Sequence, residues 1–261
     1  MDELSIKLRS LDVPDQLIAE LATKLTDVPM IGALLYGSWA RLEAEPTSDL
    51  DILILSEQPA RSSHGDRVSV SGYTPDQLLS AGSTLFGMHL ARDGIILTDS
   101  SGTLQCILHQ FSRPDPNDLL DRLRRLSAVL DSPDAEVYTY IGGFCRLARY
   151  LLRTAIYASA IREGEPCFSI RELAIRYNDP ALETILSSHS SIHPEPSMTV
   201  FEDLKHRIVK VLGYISRNEH YSLHSLIVGS WDTDREVSYL ALLVLGQDDN
   251  LPYAEIPKVI L

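Results

Sequence analysis

A chain of 261 residues with 44% hydrophobic content can form one large domain or two small ones, and we favour two. Its formal net charge of −13 argues against general nucleic-acid binding, because phosphate contacts require clustered lysine and arginine; a cationic partner would suit this charge better. The three cysteines lack the spacing of a metal site. No apolar run approaches the roughly 20 residues of a membrane helix, and no leader is evident. We therefore expect a cytoplasmic protein without a membrane partner.

The N-terminal part is predicted to be helical and then extended. Apolar residues recur at helical spacing over positions 4–25, with Pro14 at a helix start, and residues 31–36 form an apolar run of strand length that Gly37 ends. From Ser38 onward we expect a short helix, which places Gly37 and Ser38 at its N-terminus. Free backbone N–H groups and the helix dipole favour an anion there, and glycine lets the anion approach closely. The turn is therefore a candidate phosphate-binding site.

Two aspartates lead into the next predicted strand. Asp49 and Asp51 stand two residues apart in the run 48–55, so the alternation of a strand places both carboxylates on one face. Carboxylate oxygens that leave coordination positions to water and phosphate are what Mg²⁺ prefers in nucleotide enzymes. An apolar strand seldom carries two carboxylates without a use for them, which favours a metal site over a surface loop.

The segment resembles the nucleotidyltransferase superfamily that includes DNA polymerase β. That superfamily is marked by a Gly-Ser turn, a short spacer and an Asp-x-Asp motif on the next strand. Here Gly37-Ser38 is followed, after ten residues between Ser38 and Asp49, by the Asp-x-Asp motif that ends in Asp51. Arg41 completes a Gly-Ser-x-Ala-Arg run. The segment is most similar to the minimal nucleotidyltransferases, whose branch and relatives include antibiotic adenylyltransferases and antitoxins that adenylylate a toxin. The resemblance implies an α+β fold with a small mixed sheet, followed by an all-helical bundle.

The resemblance also implies a chemistry for these residues. A nucleoside triphosphate, most simply ATP, would bind Gly37 and Ser38 with help from Arg41. Asp49 and Asp51 would hold Mg²⁺ and serve as the catalytic carboxylates. An acceptor hydroxyl, on a small molecule such as an aminoglycoside or on a protein, would attack the α-phosphate and release pyrophosphate.

A third carboxylate, which the superfamily often places on the following strand, is not evident. The predicted strand 67–73 carries Ser69 and Ser71 where a carboxylate would be expected, and Asp66 at its entrance is the only nearby candidate for a base. His89 lies among apolar residues of a predicted helix, and we interpret it as a packed residue rather than a ligand.

The remainder is predicted to be mostly helical, with domains at 1–112 and 113–261. Helices are expected at 103–111, 115–130, 134–162, from a capping box at 199–202 to 215, and at 236–245. Arg146, Arg149 and Arg153 share one face of the long helix and either contact phosphates or form a solvated basic face. Arg217 and His224 resemble the loose arginine–histidine motif of HEPN ribonucleases.

Two main hypotheses follow, beside a third in which the chain is a helical interaction module with an inactive N-terminal motif. The first is an Mg²⁺-dependent nucleotidyltransferase that uses an NTP and an unknown acceptor. The second is a weakly active or inactive nucleotide-binding protein that acts on a protein partner, as an antitoxin does, and the missing third carboxylate favours it.

Overall fold

The structure is a computed structural model that describes residues 3–59, 62–63, 67–186 and 194–246. The chain divides into two compact units, the first ending at Pro114 and the second beginning at Asp115. The first unit combines a sheet with helices and the second is built from helices, so the expected α+β class is confirmed. None of the described helices combines the length and the apolar character that crossing a membrane requires.

The first unit contains a four-stranded mixed sheet. Its strands are β1 (Gly32–Tyr36), β2 (Leu50–Leu55), β3 (Val68–Tyr73) and β4 (Ile95–Asp99). They lie in the order β3-β2-β1-β4, with β1 antiparallel to both β2 and β4, and β2 parallel to β3. The strands β1, β2 and β3 agree with the predictions for 31–36, 48–55 and 67–73, where apolar residues recur over strand length and polar turns or a glycine follow.

Helices cover both faces of this sheet. They are α1 (Glu3–Ser10), α2 (Asp15–Lys24), α3 (Pro75–Leu79), α4 (Leu85–Asp93) and α5 (Thr103–His109). On one face Ile52 and Ile54 share a buried core with leucines of α1 and α2. On the other face Leu53 and Leu55 share a core with leucines of α3, α4 and α5. Because side chains alternate along a strand, Asp51 points to the same face as Leu53, at the end of this second core.

The second unit is organised around one long buried helix. Its helices are α6 (Pro116–Leu126), a 3-10 helix (Ser127–Leu130), α7 (Asp134–Thr139), α8 (Ile141–Arg162), α9 (Ile170–Arg176), α10 (Ala181–Ile185), α11 (Met198–Leu212), α12 (Leu223–Ser230) and α13 (Arg235–Leu245). α8 packs against α6, α11 and α13. The final helix confirms the prediction for 236–245, whereas α12 was not predicted.

Two predicted helices differ from the structure. The expected helix 134–162 is broken at Tyr140, whose dihedral angles (φ −115°, ψ 32°) are not helical. The next helix, α8, has two glycines, the weakest helix formers after proline, in its first turn at positions 142 and 143. α11 begins after Ser197, whose hydroxyl accepts from the Val200 N–H, so the predicted capping box at 199–202 is wrong. The same helix ends at Leu212 rather than at 215, because Gly213 has a positive φ of 91°, which glycine adopts readily and which cannot continue the helix.

The arginine face of α8 is engaged within the helical unit. Arg146 donates to the carbonyls of Leu243 and Gly246, and Arg149 donates from Nε to the carbonyl of Ile185. Arg153 likewise donates to the carbonyl of Leu186. These side chains therefore tie segments of the unit together, which corrects both interpretations of them, as phosphate contacts and as a solvated face.

The loose arginine–histidine motif does not form within one helix. Arg217 lies in the irregular segment before α12, and His224 is the second residue of that helix. The ribonuclease motif requires both residues in a well-formed helix, so the structure gives that interpretation no support.

Candidate functional site

The glycine–serine turn leaves the end of β1 and is shorter than predicted. The Arg41 N–H donates to the Gly37 carbonyl at 3.3 Å and the Glu43 N–H donates to the Ser38 carbonyl at 2.9 Å, which closes a single turn. Leu42 adopts φ 58°, a left-handed conformation that ends the turn before an α-helix forms. The prediction of a helix N-terminus here is therefore wrong. Any anion at this turn would be bound by backbone N–H groups and the Ser38 hydroxyl, without a helix dipole.

Trp39 anchors the turn to the hydrophobic core of the first unit. Its side chain is 9% exposed and packs in the core between the sheet and α1 and α2, with Ala40 partly buried against the same core. Gly37, Ser38 and Arg41 are each half-buried. The buried indole of Trp39 therefore fixes the middle of the turn, and its neighbours Ser38 and Arg41 stay partly accessible.

Asp51 lies directly against this turn. It pairs with Tyr36 of β1 and with Ser69 of β3, so it occupies the middle of three adjacent strands. Gly37 has φ 78°, and a Cβ atom at that position would come within 2.6 Å of Asp51 Oδ2. The carboxylate thus occupies the space that a side chain would fill. Glycine is required there for both its backbone conformation and this contact.

The carboxyl group of Asp51 is strongly perturbed. Burial, and then the nearby charge of Asp49, raise its pKa to about 7, while the Arg41 guanidinium acts in the opposite direction. Asp49 itself is exposed and immediately precedes β2. Two carboxylates that repel each other beside a glycine turn are a donor set that suits Mg²⁺. Within the described ranges no group of three or more histidine, cysteine or acidic side chains is arranged to hold a metal.

The segment that delivers Asp49 is held by its neighbours. Ser48 is buried, its hydroxyl accepts from the Glu45 N–H at 2.8 Å, and its own N–H donates to the Glu45 carbonyl at 2.9 Å. Arg67, at the entrance of β3, donates from Nη2 to the Ser48 carbonyl at 2.9 Å. These contacts fix the chain next to Asp49, and sequence analysis did not assign them to Ser48 or Arg67.

β3 brings serines, not carboxylates, beside Asp51. Ser69 is its direct partner in the parallel register, and Ser71 follows on the same face. The Tyr36 phenol lies on this face too: burial and the charge of Asp51 raise its pKa, and a side-chain hydrogen bond with Ser71 acts against that rise. Asp66, the only base candidate from the sequence, lies outside the described residues.

His89 was not predicted to belong to the site, yet it contacts Arg41. Its Nε2 lies 3.1 Å from Arg41 Nη1, and its ring packs edge-on against Tyr36 with centroids 6.2 Å apart. The expectation of a packed helix residue holds for the ring but missed the polar contact. No local pattern marks this pairing, because the two residues are 48 positions apart.

Comparisons with known proteins add little to this geometry. No family model and no curated protein matches the chain. The chain is similar to a solved nucleotidyltransferase-like protein from Exiguobacterium sibiricum 255-15, with 15% sequence identity, coverage of 83% of this chain and 77% of that one, and a TM-score of 0.29. A TM-score of this size does not establish a shared fold, so the function is inferred below from the residues of the site.

Proposed function

We propose that the protein is an Mg²⁺-dependent nucleotidyltransferase. It would transfer a nucleoside monophosphate from an NTP, with ATP as the first candidate, to a hydroxyl group of an acceptor. The observation that carries this proposal is the contact between the Gly37 turn and Asp51, with Asp49 and Arg41 close enough to act on the same carboxyl group. An anion-binding turn and a carboxylate pair in contact fit a triphosphate and its metal ion.

Each residue of the site has a separate role in such a reaction. The Gly37 turn and the Ser38 hydroxyl bind phosphate oxygens, and Arg41 neutralises part of their charge. Asp49 and Asp51 would hold Mg²⁺, which supplies positive charge at the phosphates when bound. The oxygen of the acceptor hydroxyl forms a bond to the α-phosphorus as the bond to the bridging oxygen breaks, the hydroxyl proton passes to water, and pyrophosphate leaves.

The net charge of the chain indicates which acceptors it attracts. A net charge of −13 favours cationic acceptors that carry hydroxyl groups, such as aminoglycosides or basic proteins, through long-range attraction. We expect action in the cytoplasm, without a membrane partner.

A second function is favoured by β3. Ser69, the partner of Asp51, cannot serve as the carboxylate base for an attacking hydroxyl. A protein that binds Mg²⁺ and nucleotide with little turnover, and that acts on a protein partner as an antitoxin does, would tolerate this serine.

Labelled nucleotide separates the two functions. The purified protein is titrated by calorimetry with Mg·ATP and with the Mg²⁺ complexes of GTP, CTP and UTP. It is then incubated with the α-labelled form of each nucleotide that binds and a panel of aminoglycosides and cell proteins. Binding with transfer supports the enzyme, and binding without transfer to any acceptor supports the second function. We expect both binding and transfer to be lost in Asp51→Asn and retained in the matched control Asp76→Asn, an exposed aspartate of α3. Absence of binding with every NTP would overturn both.

A further inference from the structure

The guanidinium group of Arg41 is held from two sides. Its Nε donates to Glu43 Oε2 at 2.9 Å, and its Nη1 lies 3.1 Å from His89 Nε2. Glu43 belongs to the same turn as Arg41, so this ion pair is local. His89 comes from α4, so its contact fixes the turn against a separate element of the unit.

The chemistry of this pair defines the state of His89. A guanidinium group carries N–H donors and no acceptor, so His89 Nε2 must accept the hydrogen bond and the imidazole is neutral, with its proton on Nδ1. Burial, together with the charges of Arg41 and Arg92, lowers the pKa of His89 to about 3, in agreement with a neutral ring. Asp93 lies farther away, with Oδ2 3.7 Å from Nε2, and its Oδ1 is 3.1 Å from Arg92 Nη1.

The imidazole ring is itself positioned by aromatic packing. Tyr36 meets it edge-on, and the Tyr36 ring also packs edge-on against Phe86, with centroids 5.9 Å apart. Tyr36 is the β1 partner of Asp51 in the sheet register. A continuous set of contacts therefore connects the strand that carries the carboxylate to the side chain that holds Arg41.

From these contacts we infer that His89 is a positioning residue for triphosphate binding. The two contacts use two of the five N–H bonds of Arg41, and the remaining donors are directed by a guanidinium that His89 and Glu43 keep in place. A preorganised arginine loses less side-chain freedom on binding a phosphate than a mobile one does. This inference rests on the proposed function, since it assigns His89 a role in binding the donor's triphosphate.

Substitutions at His89 test the role through its acceptor atom. His89→Leu removes the acceptor, whereas His89→Gln can present an amide oxygen near the position of Nε2. His109→Gln, at an exposed histidine of α5, is the matched control. The probes are Mg·ATP and inorganic tripolyphosphate with Mg²⁺, each titrated by calorimetry.

We expect His89→Leu to weaken binding of both probes about tenfold, the effect of one hydrogen bond to a charged group. His89→Gln should bind within about twofold of the wild type, and His109→Gln should be unchanged. Equal binding by His89→Leu and the wild type would overturn the inference. So would a loss in His89→Gln as large as that in His89→Leu when both variants unfold at the wild-type temperature, because a packing role alone predicts that result.

Failure of the proposed function gives a different result. If the wild type binds neither probe, the triphosphate site and the role of His89 are both overturned. The contact itself is read separately from the ¹⁵N signals of the imidazole, without any nucleotide. We expect an unprotonated Nε2 whose signal moves in Arg41→Gln but not in Arg113→Gln, an exposed arginine of the same unit. A protonated Nε2 at pH 7 would contradict the hydrogen bond.

Discussion

At the scale of single residues, Asp51 makes the metal-free protein sensitive to pH. Burial and Asp49 raise its pKa from 3.8 to about 7. The folded protein then binds this proton more tightly than the unfolded chain. The stability linked to Asp51 is therefore fully present below pH 3.8 and is lost as the pH rises through about 7. Ionised Asp51 is thus a cost to the folded state at neutral pH.

This cost predicts a stabilising substitution. In the presence of a chelator, we expect Asp51→Asn to unfold at a higher temperature than the wild type, by a margin that grows as the pH rises from 3.8 to about 7 and then levels off. Calorimetric melting at several pH values checks it, with Asp76→Asn as the exposed control. A margin that stays constant with pH would mean that Asp51 is not perturbed.

Gly37 offers a second residue-scale prediction. Gly37→Ala forces a side chain into a left-handed conformation, at a cost of about 1–2 kcal/mol, and drives its Cβ against Asp51 Oδ2. Gly102 has a similar φ of 71°, and a Cβ atom there would meet nothing within 4 Å, so Gly102→Ala carries the backbone cost alone. We expect both variants to lose stability but only Gly37→Ala to lose Mg·ATP binding, as measured by calorimetry. Equal binding by the two variants would show that the contact with Asp51 is dispensable.

At the scale of elements, α8 and α13 pack so closely that glycine should be more stabilising than alanine at one helix position. Alanine normally stabilises a helix by about 1 kcal/mol relative to glycine. At Gly143, however, a Cβ atom would come within 2.2 Å of the Val244 carbonyl oxygen. We expect Gly143→Ala to destabilise the protein by about 1–3 kcal/mol, the usual cost of overpacking, measured as a lower urea midpoint. A higher midpoint would mean that the two helices separate without cost.

Sequence analysis predicted elements better than it predicted where they end. Strands β1, β2 and β3 follow from runs of strand length in the sequence, and the helix predicted at 236–245 forms. The turn after Ser38 does not continue as a helix, because Leu42 adopts a left-handed conformation. Leucine rarely adopts this conformation, so the sequence did not predict it. The break at Tyr140 was missed because the apolar periodicity continues through it.

The candidate site could be predicted only where its residues are close in sequence. Gly37, Asp49 and Asp51 belong to one local motif, and the structure places Gly37 and Asp51 in contact. The contact between Arg41 and His89 depends on how α4 packs on the sheet, and no pattern in a single sequence encodes that distance. The contact between Arg41 and His89 is thus set by tertiary packing and not by spacing within a local motif.

At the scale of the whole molecule, the net charge of −13 predicts which partners are repelled. Nucleic-acid binding draws most of its non-specific free energy from contacts between cationic side chains and phosphates. We therefore expect no saturable binding of duplex DNA or structured RNA at about 150 mM salt in a fluorescence anisotropy titration. Saturable binding under these conditions would require a basic surface that the overall charge conceals.

The most direct test of nucleotide binding is the melting temperature of the protein with ATP, GTP, CTP and UTP, each with and without Mg²⁺. A ligand present at 100 times its Kd adds about 2.7 kcal/mol, which is a shift of a few degrees for a chain of this length. We expect at least one nucleotide to raise the melting temperature of the wild type only with Mg²⁺, and not that of the double variant Asp49→Asn/Asp51→Asn. Because Asp51→Asn changes stability by itself, each variant is compared with its own ligand-free value. No shift with any nucleotide, or an equal shift in the double variant, would contradict the proposed site.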